Sequence, residues 1–357
     1  MPNCEECPLN GEQVVQGEGD RTGIDVMFVG EAPGEEEAGA RRPFVGPAGD
    51  VLRGAVSRYL PGKEVYYTNT ILCRPPNNRK PRKAEITACH DRLLQEINEV
   101  HPRVVVPLGN TPLKALFGLE KITKRSGREL EVEDCDFKVF PLIHPSATLH
   151  LSRNIPIFNT GMRLLGEFLQ GGVTEPDTVY KLLRQDDDVE SMLQVAGMGL
   201  DVVAIDYECT HLRPWFGEPV TASFCWQEGH AHIFYLNTER KVEAWKEFLL
   251  SPCPKIAHGA KFEYQWTKWH YDIEINNLIA CTLLMHYLID ENSPHDLATS
   301  KRLYTKLGYW EGKMQEHLIP KDEHHHTASE ELLINYGCED TDGCLQIYHQ
   351  FKEAMTP

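Results

Sequence analysis

The sequence contains little that indicates a membrane protein or a secreted one. It has no run of about 18 apolar residues, the length that a helix needs to span a bilayer. Its first residues, Met1-Pro2-Asn3-Cys4, form neither the basic nor the apolar stretch of a signal peptide. We therefore expect a cytoplasmic protein without a membrane anchor, whose eleven cysteines stay reduced rather than paired in disulfides.

Two common nucleotide-binding motifs are also missing. The segment 30–44 is rich in glycine and in acidic residues, which makes it a possible loop for binding a ligand. It lacks the lysine of a P-loop, and its glycines do not have the G-x-G-x-x-G spacing. The segment therefore fits neither a P-loop nor a dinucleotide-binding site.

The net charge of −17 is unevenly distributed along the chain. Residues 1–170 hold 21 basic and 23 acidic side chains, whereas the remaining residues hold 15 basic and 30 acidic ones. A basic cluster in the first half consists of Arg74, Arg79, Lys80, Arg82 and Lys83. Because phosphate contacts depend on local patches, the acidic total does not exclude a nucleic-acid partner.

A chain of 357 residues is long enough for two domains. The first is predicted to occupy residues 1–170 and to close with a helix near Gln170. Glycine, proline and acidic residues over 171–176 predict a linker. The second domain then occupies residues 177–357, and the apolar run Val202–Asp206 is predicted to be its opening strand.

Four apolar runs rich in β-branched residues predict a parallel sheet in the first domain, because helix-like stretches separate them in a βαβ pattern. The runs are Ile24–Val29, Val65–Thr68, Arg103–Leu108 and Lys138–Ile143. Glu31, Asn69 and His144 each follow the end of one run. Ligands bind at the carboxyl ends of such strands, so we expect these three side chains to meet at one active site.

Four motifs follow one another in the same region. They are Gly30-Glu31-Ala32-Pro33-Gly34-Glu35-Glu36-Glu37, Arg42-Pro43-Phe44-Val45-Gly46-Pro47-Ala48-Gly49, Thr68-Asn69 followed by Cys73-Arg74-Pro75-Pro76-Asn77-Asn78-Arg79, and His144-Pro145-Ser146. Together they resemble the family 4, iron–sulfur uracil-DNA glycosylases, over about residues 1–170. The resemblance implies an α/β/α sandwich with a four-stranded parallel sheet, and an enzyme that excises uracil from DNA.

The resemblance gives chemical roles to five residues. A flipped uracil would stack on Phe44, and the Asn69 amide, which both donates and accepts hydrogen bonds, would pair with the edge that distinguishes uracil from cytosine. His144 would stabilise the negative charge on the departing uracil. Glu31 and Glu37 would position the attacking water and balance the sugar cation, and the sequence does not decide which glutamate does which.

Further DNA contacts are expected around this set. Gly30 belongs to the first motif, and Arg74 and Arg79 belong to the basic cluster, so all three are predicted to bind the substrate. The family usually holds the strand open with a wedge after the His-Pro-Ser turn. The candidates for that wedge are Leu149, Leu151 and Arg153.

Four cysteines are suited to a metal centre. Cys4 and Cys7 form a chelating pair, and Cys73 and Cys89 can complete four thiolates. Such a set binds zinc or an iron–sulfur cluster, and spacing alone does not separate the two. The family resemblance implies a [4Fe–4S] cluster, which would pin the N-terminus and shape the basic loop without taking part in the reaction.

A second set of acidic residues lies in the second domain. Asp206-x-Glu208 ends a predicted strand, and Tyr336-x3-Asp340 lies within a predicted helix over Glu331–Phe351. With the segment His258–Glu263 between them, these motifs resemble the 3′→5′ exonuclease domain of family A DNA polymerases, in the tyrosine-bearing DEDD branch. The resemblance implies an RNase H-like α/β fold.

That resemblance also implies hydrolysis of a phosphodiester with two metal ions. Asp206, Glu208 and Asp340 would bind Mg²⁺ or Mn²⁺, and Tyr336 would orient the attacking water. Glu263 takes the remaining ligand position, where the family commonly has an aspartate. Its extra methylene leaves open whether the exonuclease is active.

The two domains together predict a DNA-maintenance enzyme that excises uracil and removes 3′-terminal nucleotides. Two alternatives remain: a non-catalytic module that recognises template uracil beside a proofreading exonuclease, and an active glycosylase on an inactive nuclease scaffold. The chain also resembles the amino-terminal part of a phage-type polymerase, either freestanding or split from its catalytic half. We therefore expect a monomer in a bacterial or phage-infected cell, with DNA as substrate and a separate polymerase subunit as a partner.

Overall fold

The computed structural model describes residues 4–130, 132, 135–171, 177–198, 201–318 and 328–355. The chain divides into two compact units, Met1–Thr174 and Glu175–Pro357. Apart from Gly171, the predicted linker 171–176 lies outside the described residues. No helix in the described ranges combines the length and the apolar character that crossing a membrane requires.

Strands alternate with helices along the first unit. Its strands are β1 (Val26–Gly30), β2 (Val65–Asn69), β3 (Val104–Pro107) and β4 (Lys138–Val139). Its helices are α1 (Glu35–Ala40), α2 (Pro47–Tyr59), α3 (Lys83–Val100), α4 (Asn110–Phe117), α5 (Ile122–Arg125), α6 (Ser146–His150) and α7 (Asn154–Gly171). Short 3₁₀ turns occur at Cys4–Glu6 and Pro76–Asn78.

The strands described in the first unit form a four-stranded parallel sheet in the order β2-β1-β3-β4. Successive residues of a strand point to opposite faces. Phe28 accordingly packs with α2 and α7 on one face, whereas Met27 and Val29 pack with α3 on the other. Helices therefore cover both faces, which confirms the predicted α/β/α sandwich and its parallel sheet.

The fourth strand is shorter than its apolar run. Strand β4 contains two residues, although the run extends to Ile143. Pro141 has no N–H to donate to a neighbouring strand. The residues on either side still pair with the sheet: the N–H of Phe140 donates to the carbonyl of Val105 (3.0 Å) and that of Leu142 to the carbonyl of Pro107 (3.1 Å). The chain thus stays beside β3 until it reaches His144.

The second unit is also an α/β structure. Its strands are β5 (Val179–Leu182), β6 (Val203–Cys209), β7 (Pro219–Gln227), β8 (His230–Tyr235), β9 (Lys255–Ala257) and β10 (Leu278–Cys281). Its helices are α8 (Asp186–Gly197), α9 (Glu239–Leu250), α10 (Lys261–Tyr271), α11 (Thr282–Ile289), α12 (Leu297–Tyr304), α13 (Tyr309–Leu318) and α14 (Glu330–Ala354). A 3₁₀ turn occurs at Pro214–Phe216.

The strands described in this unit form a mixed sheet in the order β10-β9-β6-β7-β8-β5. Strands β6, β7 and β8 are antiparallel neighbours, and the outer pairs are parallel. Ile205 packs with α8, α9 and α10 on one face, and Ala204 packs with α14 on the other. This agrees with the predicted RNase H-like α/β fold.

The expectation that Val202–Asp206 opens the second unit was wrong. Strand β5 and helix α8 precede it, and β5 pairs in parallel with β8 at the sheet edge. Strand β5 was missed because its four residues are only partly apolar and are alternately exposed. Edge strands are often short and polar, so their sequence pattern is weak.

Candidate active sites

A cleft of about 780 Å³ lies at the carboxyl ends of the parallel strands in the first unit. Glu31, Phe44, Asn69 and His144 all line it. Glu31 follows β1, Asn69 ends β2, and His144 follows the stretch that continues β4, whereas Phe44 lies between α1 and α2. The sheet thus brings together residues that are more than a hundred positions apart. The sequence predicted that Glu31, Asn69 and His144 would lie together, and all three line this cleft.

Close packing around Gly30 holds the Asn69 amide against the Phe44 ring. A Cβ atom added at Gly30 would lie 2.2 Å from Asn69 Oδ1 and 2.7 Å from Phe44 Cζ. Asn69 is only 4% exposed. Its backbone is fixed because Arg92 donates to the carbonyls of both Asn69 and Thr70, each at 2.9 Å. Gly30 therefore shapes this wall of the cleft by having no side chain.

Phe44 is held in an unusual backbone conformation. Its φ is +53°, in the left-handed region that non-glycine residues rarely adopt. Arg53 stabilises the turn by donating to the carbonyls of Phe44 (2.8 Å) and Pro43 (2.9 Å). The Arg53 guanidinium also lies over the Tyr67 ring, 4.4 Å from its centroid. Arg53 also pairs with Glu18 at 2.8 Å. Sequence analysis missed Arg53 because its partners are backbone carbonyls and a carboxylate 35 positions away, neither of which leaves a local sequence pattern.

His144 is neutral and presents one nitrogen as a donor. Its Nδ1 accepts from the backbone N–H of Ser146 (3.2 Å) and contacts Ser146 Oγ (2.7 Å). The proton of the neutral ring is therefore assigned to Nε2. Burial lowers the pKa of His144 to about 4, although the negative charge of Glu37 acts in the opposite direction.

The two glutamates have different surroundings. Glu37 lies in α1, where its two carboxylate oxygens accept from the backbone N–H groups of Gly34 (3.1 Å) and Gly46 (3.0 Å). It thereby connects the start of α1 to the start of α2. Glu31 instead accepts one hydrogen bond from Thr111 Oγ1 (2.5 Å). Thr111 was not recognised from sequence, since it lies 80 positions from Glu31 and outside every motif.

The two predicted DNA-binding arginines form internal ion pairs. Arg79 lines the cleft and makes two hydrogen bonds with the buried Glu85, at 2.9 and 2.5 Å. Arg74 is not among the lining residues; it pairs with Glu35 (2.9 Å) and donates to Asn78 Oδ1 (2.7 Å). Both arginines therefore also stabilise the loop that carries them.

All three wedge candidates are exposed. Leu149 and Leu151 follow the His-Pro-Ser turn with about half of their surface accessible to solvent, and Arg153 is exposed as well. Leu149 lines the cleft, whereas Leu151 and Arg153 are not among the lining residues.

The four cysteines converge. Burial raises the pKa of Cys73 to about 11, and the neighbouring Cys89, Cys7 and Cys4 thiols add to this shift in that order. Among the described residues, no three of these sulfur atoms lie within 4.8 Å of one another. Their mutual electrostatic effect places the four thiols near one another, as the ligands of one inorganic centre must be.

A group of three carboxylates marks the second site. Asp206 and Glu208 lie two residues apart on β6 and face α14, which carries Asp340. One oxygen of each residue lies within 4.8 Å of the others. Burial and the neighbouring carboxylates raise the pKa of Asp206 well above its ordinary range. Such a concentration of negative charge is suited to divalent cations.

Glu263 and Tyr336 lie beside these carboxylates. Glu263 is buried near the start of α10 and shares a side-chain hydrogen bond with Asp206. Its Oε2 atom is also buried and has no hydrogen-bond partner among the described residues, so it remains available to a ligand. Tyr336 lies one turn before Asp340, and burial raises its phenol pKa, so its hydroxyl stays protonated.

An internal lysine completes the second site and was missed by sequence analysis. Lys301 is fully buried, and its Nζ atom donates to Asp340 Oδ1 (2.5 Å) and Glu339 Oε1 (3.0 Å). The same atom lies 5.5 Å from the Tyr336 ring centroid. Its aliphatic stem packs over Gly343, where an added Cβ would lie 2.7 Å from Lys301 Cδ. Nothing in the sequence around Lys301 distinguishes it from an exposed helix lysine.

Comparisons with known families agree with both sites. Residues 16–160 match the uracil DNA glycosylase superfamily, and residues 180–356 match a 3′–5′ exonuclease family. The catalytic core of RRP6 from Trypanosoma brucei is a structural neighbour with a TM-score of 0.39 and 18% identity. That match covers 51% of this chain and 50% of the RRP6 chain.

Two curated relatives cover different shares of the chain. The DNA polymerase of Bacillus phage SP01 is 26% identical over 301 residues, which are 74% of this chain and 32% of that polymerase. The type-4 uracil-DNA glycosylase of Pyrobaculum aerophilum is 40% identical over 159 residues, which are 42% of this chain and 81% of that protein. The chain thus belongs to the type-4 uracil-DNA glycosylase family and carries a 3′–5′ exonuclease domain.

Proposed function

We propose that the first unit hydrolyses the N-glycosidic bond of deoxyuridine in DNA and leaves an abasic site, through the residues that line its cleft. This proposal rests on one observation: the Phe44 ring, the Asn69 amide and the neutral His144 imidazole line the same cleft. These three groups match what a flipped uracil requires: a flat surface, a paired polar edge and a donor for developing negative charge.

Each group acts on a different part of the substrate. The base leaves the DNA stack at a cost of about a few kcal/mol and stacks on Phe44. Asn69 offers a donor and an acceptor to the uracil edge, whereas cytosine presents the reverse pattern. As the bond breaks, His144 Nε2–H donates to the uracil oxygen on which negative charge develops. A neutral donor suits this role because it gives up no proton before the bond breaks.

Glu31 is the glutamate that we assign to the attacking water. Both oxygens of Glu37 already accept backbone N–H groups, so Glu37 braces the loop between α1 and α2. Glu31 accepts one hydrogen bond, from Thr111, and keeps lone pairs for a water molecule beside the sugar. Its negative charge also favours the oxocarbenium-like sugar. Gly30, Arg74 and Arg79 contribute by shaping the cleft and contacting the DNA backbone.

Cys4, Cys7, Cys73 and Cys89 would hold a [4Fe–4S] cluster. The proximity of the four thiols and the membership of an iron–sulfur family support this assignment. The chemistry that the cluster supplies is structural. Cys4 and Cys7 tie the N-terminal segment to Cys73 and Cys89, which lie on either side of the basic loop, and this keeps Arg74 and Arg79 near the cleft.

For the second unit we propose removal of 3′-terminal nucleotides. Asp206, Glu208 and Asp340, with Glu263, would hold Mg²⁺ or Mn²⁺, and these ions would clamp the attacking and leaving oxygens of the phosphate. Tyr336 keeps its hydroxyl proton and orients the water. Glu263 Oε2 is buried without a hydrogen-bond partner among the described residues, which supports Glu263 as a metal ligand although its side chain is one methylene longer than that of aspartate.

The partners follow from these activities and from the phage relative. DNA is the shared substrate, either as a uracil-containing strand or as a 3′ end. We propose a monomer in the cytoplasm of a bacterial or phage-infected cell, and the likeness to a phage DNA polymerase supports a separate polymerase subunit as its partner.

One substrate tests both activities. A 5′-labelled oligonucleotide with a single uracil is incubated in EDTA, where we expect alkali-labile breaks at uracil that disappear in Asn69→Ala. Intact strands with the unaltered chain would favour a module that recognises uracil without excising it. Adding Mg²⁺ should produce a ladder of 3′-shortened products that Asp206→Ala abolishes. A ladder that persists in Asp206→Ala would remove Asp206 from the metal site.

The cofactor has a separate test. Protein purified without oxygen should contain about four iron and four sulfide per chain, and Cys73→Ser should lower both. Stoichiometric zinc without iron would contradict the cluster assignment.

A further inference from the structure

The connection between β6 and β7 and the helix α10 together carry an exposed aromatic cluster. Trp215, Phe216 and Trp269 are 48%, 67% and 60% exposed. The Trp215 ring packs edge-on against Phe216 and Trp269, with centroid distances of 6.1 Å in both pairs. We call these three residues the aromatic platform. Large apolar side chains that are exposed together mark a binding surface.

The platform is rigid. The base of its loop is closed by two hydrogen bonds: the Thr210 N–H donates to the carbonyl of Glu218 (3.0 Å), and the Glu218 N–H donates to Thr210 Oγ1 (2.9 Å). Near the tip, His270 Nε2 hydrogen-bonds to the carbonyl of Pro214 (3.1 Å), which fixes the loop to the end of α10. The rings are therefore held in place before any ligand arrives, which lowers the entropic cost of binding.

The platform is continuous with the exonuclease site along two elements. The loop begins two residues after Glu208 on β6. Helix α10 carries Glu263 in its first turn and Trp269 six residues later, which is about 9 Å along the helix axis. A strand whose 3′ end lies at the carboxylates is therefore within a few nucleotides of the exposed rings.

We propose that the aromatic platform binds the unpaired bases of single-stranded DNA on the 5′ side of the nucleotide being removed. This inference rests on the proposed exonuclease function. Stacking on aromatic rings tolerates any base, which suits an enzyme that shortens a strand regardless of sequence. Arg213 lies with its guanidinium carbon 6.0 Å from the Trp215 ring centroid and adds a positive charge for the backbone.

Acidic residues near the platform are accompanied by cations or imidazole. Asp272 pairs with Lys268 at 3.0 Å, and Glu218 lies 3.5 Å from His270. The Lys268 ammonium offsets part of the repulsion that the Asp272 carboxylate exerts on phosphate. The alternative to single-stranded DNA as the occupant of this surface is a second copy of the chain. The experiment below distinguishes the two occupants.

The first measurement is intrinsic tryptophan fluorescence. All six tryptophans of the chain lie in the second unit, so the signal does not report on the glycosylase cleft. Titration with a uracil-free (dT)₁₂ in EDTA should quench the full chain. Loss of one stacked base in Trp215→Ala/Trp269→Ala should weaken binding about 5- to 150-fold and remove most of the quench. Leu288→Ala, which truncates an exposed side chain on α11, is the matched control and should behave like the unaltered chain.

The second measurement compares substrate lengths with Mg²⁺ present. A dinucleotide fills the carboxylate site without reaching the rings, so the double variant should cleave it at the unaltered rate. The KM for (dT)₁₂ should rise by about the same factor as the dissociation constant, with kcat unchanged. If the unaltered chain cleaves neither substrate, the exonuclease proposal fails, and the fluorescence titration still tests the platform.

Two results would overturn the inference. One is equal affinity for (dT)₁₂ in the double variant and the unaltered chain. The other is a dimer in sedimentation experiments that the double variant converts to monomer while DNA affinity stays the same, since this would assign the platform to a second copy of the chain.

Discussion

Gly30→Ala is expected to slow uracil excision about 100-fold while leaving the second unit intact. The new Cβ would lie 2.2 Å from Asn69 Oδ1, whereas ordinary contact begins at 3.4 Å, so the amide must move by roughly an ångström. The same atom would lie 2.7 Å from Phe44 Cζ, so the ring cannot remain in place either. A misplacement of about 1 Å at a reacting centre can cost about 100-fold in rate. Overpacking of this kind costs about 1–3 kcal/mol of stability.

The assay is single-turnover release of uracil from a labelled oligonucleotide in EDTA. We expect Gly30→Ala to lower the rate by about 100-fold. Gly54→Ala is the matched control, because a Cβ there meets nothing within 4 Å and alanine favours the helix interior. Exonuclease turnover by the same protein samples shows whether the second unit is intact. Uracil release by Gly30→Ala at the unaltered rate would refute the account of how Gly30, Asn69 and Phe44 form the pocket.

Three further changes test other parts of the structure. Because burial lowers the pKa of His144 to about 4, the rate of uracil release should be constant between about pH 6 and 8 and should fall only as the pH approaches 4. The fold holds the ring neutral, whereas the unfolded chain binds a proton at the ordinary histidine pKa of about 6.5. Stability should therefore also decline as the pH drops below about 6.5. A rate that falls already near pH 6.5 would mean that His144 is accessible to protons. Arg53→Met should raise the KM for uracil-containing DNA several-fold in steady-state assays, since the Phe44 turn loses two hydrogen bonds, and an unchanged KM would show that the turn does not need them. Lys301→Met should destabilise the second unit by about 3–5 kcal/mol in urea unfolding, because Glu339 and Asp340 lose a buried partner; a transition at the unaltered urea concentration would contradict this pairing.

The long periodic elements and the residues at strand ends were predictable from sequence. The parallel sheet of the first unit followed from four apolar runs, and parallel strands necessarily bring their carboxyl ends to one edge. This is why the sequence alone predicts that Glu31, Asn69 and His144 meet. Asp206 and Glu208 were expected on one face of a strand for the equally local reason that side chains alternate.

Residues that act through long-range contacts were not predictable. Lys301 resembles any lysine in a helix, and only the fold buries it against Asp340 and Glu339. Thr111 and Arg53 act on Glu31 and on backbone carbonyls, respectively, from outside the motifs. The division of labour between the two glutamates likewise depends on which backbone N–H groups reach Glu37. Such contacts are set by packing between elements, which sequence periodicity does not encode.

A crystal structure of the protein soaked with free uracil would test the central claim most directly. We expect the base to lie flat against Phe44, with its polar edge paired to the Asn69 side-chain amide and one carbonyl oxygen accepting from His144 Nε2. A base bound elsewhere, or bound in the cleft without contact to the Asn69 amide, would contradict the account.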